Sequence, residues 1–240
     1  MRSQVLEVDF DNLTMEEAKR HFLGLLFTDE PSLVVTPNPE MVMLAQKNAE
    51  FKVLLNSADL VVADGIGVVH ASRLTKSPLK QRVAGFDLIM EVFASKESGK
   101  AKWYFLGGKP GVAEKAKTRV EQDFGLKVVG WGDGYFKDDE AVIAEISASG
   151  ADIVLVGLGF PRQEFWANAH KHRLGAKIVM GVGGSFDGIS GEVRRAPKIF
   201  QKVGLEWFYR LLRQPKRIWR QRVLLKFVII VIIKKIRGVL

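Results

Sequence analysis

The chain has 240 residues, of which 47% are hydrophobic; this suits one α/β domain with an appendage and does not indicate a disordered or fibrous protein. It contains no cysteine, so disulfides, thiolate metal ligands and cysteine catalysis are excluded. The net charge of +9 is uneven, because residues 194–240 hold 14 bases and one acid whereas residues 1–193 hold 22 bases and 26 acids. A basic tail on a slightly acidic body predicts an anionic partner: phospholipid, diphosphate or nucleic acid.

The N-terminal segment shows neither a signal peptide nor a metal site. Its first 20 residues include acidic side chains and no apolar run of signal-peptide length, so we do not expect export. Asp9 and Asp11 superficially resemble a metal-binding Asp-x-Asp pair, but we expect a solvated strand or turn there. The histidines do not predict a metal site either. His170 and His172 are two residues apart and would lie on different helix faces.

Short β-branched runs alternate with helical patterns up to about residue 190. The predicted strands are Ser32–Thr36, Leu60–Ala63, Ala101–Leu106, Lys127–Gly130, Asp152–Gly157 and Lys177–Gly181. The predicted helices are Pro39–Asn56, Phe86–Ser98, Gly111–Phe124, Asp138–Ser149 and Pro161–Arg173. Several strands are almost continuously apolar, which is typical of strands covered by helices on both faces. The pattern predicts an α/β fold with a Rossmann-like, mostly parallel sheet flanked by helices.

The strand–helix alternation stops after Asp187. From Arg195 onward the pattern is helical, with breaks expected near Pro197 and Pro215. We therefore predict a Rossmann-like body at residues 1–194 and a helical, basic appendage at residues 195–240.

Glycine-rich turns follow most of the predicted strands, at the sheet edge where such folds bind their ligands. They include residues 64–67, 107–108, 157–163 and 181–187. Glycines there let the backbone approach a ligand closely. The chain has no Gly-x-x-x-x-Gly-Lys-Ser/Thr and no complete Gly-x-Gly-x-x-Gly after a strand, so a P-loop is unsupported and a dinucleotide site is disfavoured.

Asp64 is the preferred catalytic candidate. It follows an apolar strand and precedes a Gly-x-Gly turn, so its carboxylate should face the ligand crevice and accept a proton from a substrate hydroxyl. The alternatives are an aspartate that binds a ribose or one that caps the next helix.

Three further polar residues follow strands. Thr36 and Asn38 lie on a loop stiffened by two prolines, which would hold hydrogen-bonding groups in the fixed directions that sugar recognition requires. Asn38 can equally cap the next helix, whose first residue would be Pro39. Gln163 opens a helix, and its amide can donate and accept; the alternative is an exposed residue at a helix start.

The basic tail combines arginines, aromatic residues and an aliphatic run. Arg210, Arg213 and Arg217 recur at helical spacing and share a face, from which guanidinium groups could bind phosphate oxygens. Residues 223–233 are apolar apart from Lys226, which is too short a run to cross a bilayer and fits a helix in the membrane interface. The alternative is a helix that packs on the body or on another subunit. Nucleic acid is not the expected partner, because the aliphatic run suits lipid better.

Six stretches together resemble the WecG/TagA/CpsF family of bacterial glycosyltransferases, also called glycosyltransferase family 26. They are TPNPEMVMLAQKN at 36–48, ADLVVADGIGVV at 58–69, RVAGFDL at 82–88, GLGFPRQEFW at 157–166, GVGGSFDGISGEVRRAP at 181–197 and GLEWFYRLLRQPKR at 204–217. The resemblance covers nearly the whole chain in the right order. It implies an inverting, metal-independent transfer from a UDP-sugar to a polyprenyl-diphosphate-linked sugar, with no cofactor.

In teichoic acid members of that family the donor is UDP-N-acetylmannosamine and the acceptor is undecaprenyl-diphosphate-linked N-acetylglucosamine. The resemblance implies that Asp64 is the base, and that Thr36 and Gln163 belong to the substrate pocket. It also implies that the appendage associates with the inner face of the cell membrane and supplies arginines to the active site. The candidate arginines are Arg210, Arg213, Arg217 and Arg220.

The residues alone leave other functions open. One is a soluble Rossmann enzyme of the NAD or S-adenosylmethionine type whose basic tail mediates oligomerisation. Another is a non-catalytic adaptor for membrane or nucleic acid. A homo-oligomer is compatible with each function, because an exposed apolar tail can dimerise as readily as it binds lipid.

Overall fold

The computed structural model describes residues 2–193, 196–197, 200, 209 and 218–237. The chain starts with an antiparallel hairpin of β1 (Arg2–Val5) and β2 (Val8–Asp11). Its two-residue turn, Leu6 and Glu7, has φ values of 48° and 62°, the positive φ pair that a type I′ turn requires. The sequence did not predict this hairpin, because neither turn residue is a glycine or asparagine.

Six parallel strands form the main sheet, in the order β4-β3-β8-β7-β5-β6. They are β3 (Ser32–Val35), β4 (Leu60–Val61), β5 (Lys102–Gly107), β6 (Lys127–Gly132), β7 (Ile153–Gly157) and β8 (Ile178–Gly181). Every predicted strand is present, and the predicted parallel α/β sheet is confirmed. The central strands are buried along their length, since each face of the sheet is covered by helices.

The helices cover the two faces of the sheet. One core lies under α1 (Met15–Gly24), α5 (Gly85–Phe93), α6 (Val112–Phe124) and α9 (Ser185–Ile189). The other lies under α2 (Pro39–Ala45), α3 (Ala49–Ser57), α4 (Ile66–Ser72), α7 (Asp139–Ser149), α8 (Arg162–His170) and the C-terminal helix α10 (Ile218–Ile236), together with the hairpin.

Three predicted helices are shorter than expected. The helix predicted at Pro161–Arg173 spans Arg162–His170 and is followed by a 3₁₀ turn at Lys171–Arg173. The single helix predicted from Pro39 to Asn56 is wrong, because Asn48 ends α2 and starts α3: its side chain accepts a hydrogen bond from the Phe51 N–H at 2.9 Å. The helix predicted to reach Ser98 stops at Phe93, and a 3₁₀ turn follows at Glu97–Lys100.

The sheet has a topological switch point between β5 and β7. The helices that follow these strands, α6 and α8, lie on opposite faces, so a crevice opens between the two turns. The backbones meet closely there: a Cβ on Gly107 would lie 2.4 Å from the Gly157 carbonyl oxygen, and Gly107 has φ +135°. Glycine is therefore required at this position.

The C-terminal helix packs on the body with one face only. Phe227 and Val231 are 2% and 3% exposed, and α10 lies against α2 and α4. The opposite face is apolar yet exposed; its residues are Leu225, Val228, Ile229, Ile232, Ile233 and Ile236. Among the helices that the structure describes, none combines the length and apolarity needed to cross a bilayer.

Candidate active site

Asp64 and Thr36 follow adjacent parallel strands. β3 and β4 are paired, with Val35 opposite Val61, so the residues that follow them lie at the same edge of the sheet. The Asp64 N–H donates to the Pro37 carbonyl at 3.3 Å, which ties the two turns together. A Cβ on Gly65 would lie 2.4 Å from Cδ of Pro39, so the approach of these turns depends on a glycine after the aspartate.

Arg82, which was not among the residues predicted for the site, fixes the Asp64 carboxylate. Its Nη2 lies 3.3 Å from Oδ1 of Asp64, and its Nε donates to the Asp64 main-chain carbonyl. The Asp64 side chain is 34% exposed and that of Arg82 22%, so the pair is neither sealed in the core nor fully solvated. The signal was available, because Arg82 opens one of the six family-like stretches.

The segment after Arg82 brings a helix start against Thr36. The Val83 N–H donates to the Ala63 carbonyl at 3.0 Å, which places this segment beside the end of β4. α5 then begins at Gly85, where a Cβ would lie 2.8 Å from the Thr36 hydroxyl oxygen. Thr36 therefore lies between the Pro loop and α5, half-buried and close to the elements that hold Asp64.

Asn38 is the N-cap of α2. Its Oδ1 accepts from the Glu40 N–H at 2.9 Å and from the Met41 N–H at 3.2 Å, with Pro39 as the first helical residue. The capping alternative is therefore confirmed. The cap uses Oδ1 alone, which leaves the Nδ2 hydrogens of this half-buried residue for other acceptors.

Gln163 is buried, and the alternative of an exposed residue at a helix start is wrong. It is 6% exposed, and its Oε1 accepts from the Gly183 N–H at 2.9 Å. Its amide lies over the end of β8, where a Cβ on Gly181 would be 2.8 Å from Nε2. The structure thus links the first turn of α8 to the glycine turn after β8.

The tail arginines are only partly within the described residues. Arg210, Arg213 and Arg217 lie outside them. Arg220 belongs to the first turn of α10, but its side chain lies outside the description. α10 itself reaches the back of the site: a Cβ on Gly67, three residues after Asp64, would lie 3.9 Å from Cε1 of Phe227.

The Asp-x-Asp pair near the N-terminus has a structural role. Asp11 ends β2, and its Oδ2 accepts from the Val61 N–H at 2.9 Å while its Oδ1 pairs with Arg2 at 3.1 Å. It thereby ties the hairpin to β4. Over the part of the chain that the structure describes, no three His, Asp or Glu side chains are grouped as metal ligands.

A carboxylate held at the carboxyl edge of a parallel sheet, with buried and half-buried hydrogen-bonding side chains on the neighbouring turns, suits a transferase acting on a polar substrate. The model of the glycosyl transferase WecG/TagA/CpsF family matches residues 3–239, and the chain belongs to this family. The resemblance noted in the six stretches is thereby confirmed, and the chain is a glycosyltransferase.

A curated relative carries a more specific name. Over 191 residues the chain is 41% identical to the N-acetylglucosaminyldiphosphoundecaprenol N-acetyl-beta-D-mannosaminyltransferase of Bacillus spizizenii (strain ATCC 23059 / NRRL B-14472 / W23). The match covers 79% of this chain and 74% of that protein.

Proposed function

We propose that the chain transfers N-acetylmannosamine from its UDP derivative to N-acetylglucosamine linked to a polyprenyl diphosphate, in the synthesis of a teichoic acid-like surface polymer. The family match and the printed activity of the 41% identical relative support this substrate pair. The observation that carries the proposal is the Asp64 carboxylate, partly exposed at the carboxyl edge of the sheet and held in one direction by Arg82.

Asp64 acts as the general base. It removes the proton from the acceptor hydroxyl as that oxygen forms a bond to the anomeric carbon of the donor. The bond from that carbon to the diphosphate oxygen breaks, and its electron pair leaves with UDP. Because one displacement occurs at the carbon, its configuration inverts. Arg82 keeps the carboxylate aimed at the crevice, since it grips both the side chain and the main chain of the same residue.

Neighbouring turns hold the donor. Thr36, the Nδ2 group of Asn38 and Gln163 offer donors and acceptors for a sugar, and the glycines at the switch point admit the diphosphate to the backbone. UDP gains negative charge as it leaves. Arg210, Arg213, Arg217 and Arg220 stabilise that charge in this proposal, so the scheme calls for no metal.

The appendage, residues 195–240 in this proposal, meets the inner face of the membrane. α10 presents its exposed aliphatic face, and bases at Arg222, Lys226 and Lys235 flank that face, the arrangement of a helix lying at an anionic lipid surface. Contact with the bilayer that holds the acceptor would place the preceding arginines over the site.

Transfer from a panel of UDP-sugars onto a short-chain polyprenyl-diphosphate-N-acetylglucosamine tests the proposal. We expect UDP-N-acetylmannosamine to give the highest kcat/KM, with activity retained in excess EDTA. Preference for another UDP-sugar would contradict the donor assignment. Complete loss of activity in EDTA that is restored by a divalent cation would contradict the metal-free scheme.

A further inference from the structure

The buried carboxyl group next to Gln163 has no place in the mechanism above. Glu164 is 2% exposed, deeper than any other acid in the described residues, although it lies in the first turn of α8. Burying a carboxyl group costs free energy unless a specific interaction of that group offsets the cost. Its contacts show what that interaction is.

Glu164 and Gly183 hold opposite ends of one amide. Oε1 of Glu164 accepts from Nε2 of Gln163 at 2.7 Å, and Oε1 of Gln163 accepts from the Gly183 N–H at 2.9 Å. The opposite orientation of the amide would set its NH₂ against the Gly183 N–H and its oxygen against the carboxyl oxygen. The contact with the Gly183 N–H would be repulsive whether or not Glu164 is protonated, and the contact with Glu164 would be repulsive for its carboxylate, so the two neighbours fix which way the Gln163 amide faces.

The Gln163 amide, held in this orientation, can still form hydrogen bonds to a ligand. Each of its polar atoms makes one of the two hydrogen bonds available to it, which leaves one N–H and one acceptor position. The space for this arrangement comes from Gly181, where a Cβ would lie 2.8 Å from Nε2 of Gln163 and 3.2 Å from Oε1 of Glu164.

We infer that Glu164 is a positioning residue of the donor site, which orients the Gln163 amide and, through it, the glycine turn after β8. This inference rests on the proposed contact of Gln163 with the UDP-sugar. Glu164 does not touch the reacting atoms; it acts through Gln163. Within the described residues its second oxygen, Oε2, has no hydrogen-bond partner, so Oε1 carries the interaction.

Four variants separate positioning from simple packing. Glu164→Leu removes the acceptor but keeps a side chain of similar size, whereas Glu164→Gln keeps a carbonyl oxygen for Nε2. Gln163→Ala removes the amide itself. Trp166→Phe is the matched control on the same helix, since the Trp166 indole donates its hydrogen bond to Asp139, at 3.1 Å, and not to the amide.

The measurements are the kcat and the KM for UDP-N-acetylmannosamine. We expect Glu164→Leu to raise the KM about 10-fold or more, since small misplacements of positioning groups have effects of this order and larger. Glu164→Gln should recover it to within about three-fold of the native value, and Trp166→Phe should lower the melting temperature without changing the KM. The double variant Gln163→Ala/Glu164→Leu should be no worse than Gln163→Ala alone.

Effects of Glu164→Leu and Gln163→Ala that multiply in the double variant would overturn the inference, as would a native KM in Glu164→Leu. If the native chain transfers no sugar, the proposed function fails, and hydrogen exchange at the Gly183 amide still decides the geometry. That exchange should be faster in Glu164→Leu than in Trp166→Phe, and equal rates would overturn the inference. If Glu164→Leu does not fold, Gly181→Ala replaces it, because its methyl group displaces the same amide.

Discussion

Arg82 donates two hydrogen bonds to Asp64, one to its carboxylate and one to its main-chain carbonyl. A forked guanidinium can do this, whereas the point charge of a lysine cannot. In the proposed mechanism this sets the direction of the base before substrate arrives, which spares the reaction the entropy of orienting it. Asp64 was a candidate because it follows a predicted strand, whereas Arg82 was missed because a partner from a loop 18 residues away leaves no periodic signal.

Glu164 makes stability depend on pH. Burial raises its pKa from 4.5 to about 7, so the folded state keeps a proton that the unfolded state has already released. Stability is therefore highest below pH 4.5 as far as this group is concerned, and falls as the pH rises through 7. The full penalty is about 3 kcal/mol at most.

Glu164→Gln removes that penalty. We compare the free energies of unfolding of Glu164→Gln and the native chain by urea denaturation at pH 5 and pH 8. We expect the advantage of the variant over the native chain to be larger at pH 8 than at pH 5. Glu16→Gln, at an exposed position of α1, is the control and should show no such gain. A difference between native chain and Glu164→Gln that is the same at both values would contradict the buried, raised pKa.

At the level of elements, the sheet was predictable and the breaks between helices were not. β7 and β8 are apolar at every buried position, and such runs bounded by glycine turns indicate parallel strands directly. The apolar periodicity of α2 continues into α3, so the three residues between them look helical. Only the Asn48 cap, a local side-chain interaction, ends the first helix and starts the second.

Glu7, in the turn of the hairpin, contacts the end of α10. Glu7 pairs with Lys234 and with Lys52, each at 2.8 Å, and these two lysines, Lys234 first, lower its pKa to about 2. The stabilisation is present above the ordinary pKa of 4.5 and is lost as the pH falls through 2. Since Glu7 is 52% exposed, its contribution to global stability is small.

Glu7→Gln should therefore loosen α10 without unfolding the body. We expect faster hydrogen exchange in residues 223–233 and native exchange in the sheet. The control Glu16→Gln breaks an exposed ion pair, in which Glu16 lies 2.7 Å from Lys19, and should leave hydrogen exchange in α10 unchanged. Equal protection of α10 in the native chain and Glu7→Gln would show that Glu7 is not needed to hold the helix, which also packs through Phe227 and Val231 and donates from Lys235 to the Leu74 carbonyl.

On the scale of the whole molecule, the charge asymmetry and the exposed face of α10 point in the same direction. In the proposed membrane contact, the basic tail attracts anionic lipid headgroups and the aliphatic side chains of α10 enter the interface. The sequence predicted a helix in the membrane interface and left open a helix that packs on the body. In the structure one side of α10 packs on the body, where Phe227 and Val231 lie against α2 and α4. The sequence could not show which side packs, because both faces are equally apolar.

Flotation with anionic vesicles tests this contact. We expect Ile229→Glu/Ile232→Glu to reduce vesicle binding about ten-fold or more, since it places two charges in the exposed aliphatic face. Val53→Glu, at a 65% exposed position on α3, is the control and should bind like the native chain. Undiminished flotation of the double variant would favour an oligomer contact for this face.

The most direct test of the account is the rate of transfer from UDP-N-acetylmannosamine by Asp64→Asn. The substitution keeps the size of the side chain and an oxygen facing Arg82 but removes the base. We expect an unchanged melting temperature and a fall in kcat of about 10²–10⁴-fold. The control is Asp29→Asn, at an exposed acid before β3, which should keep the native rate. A folded Asp64→Asn chain that turns over within a few-fold of the native rate would contradict the account.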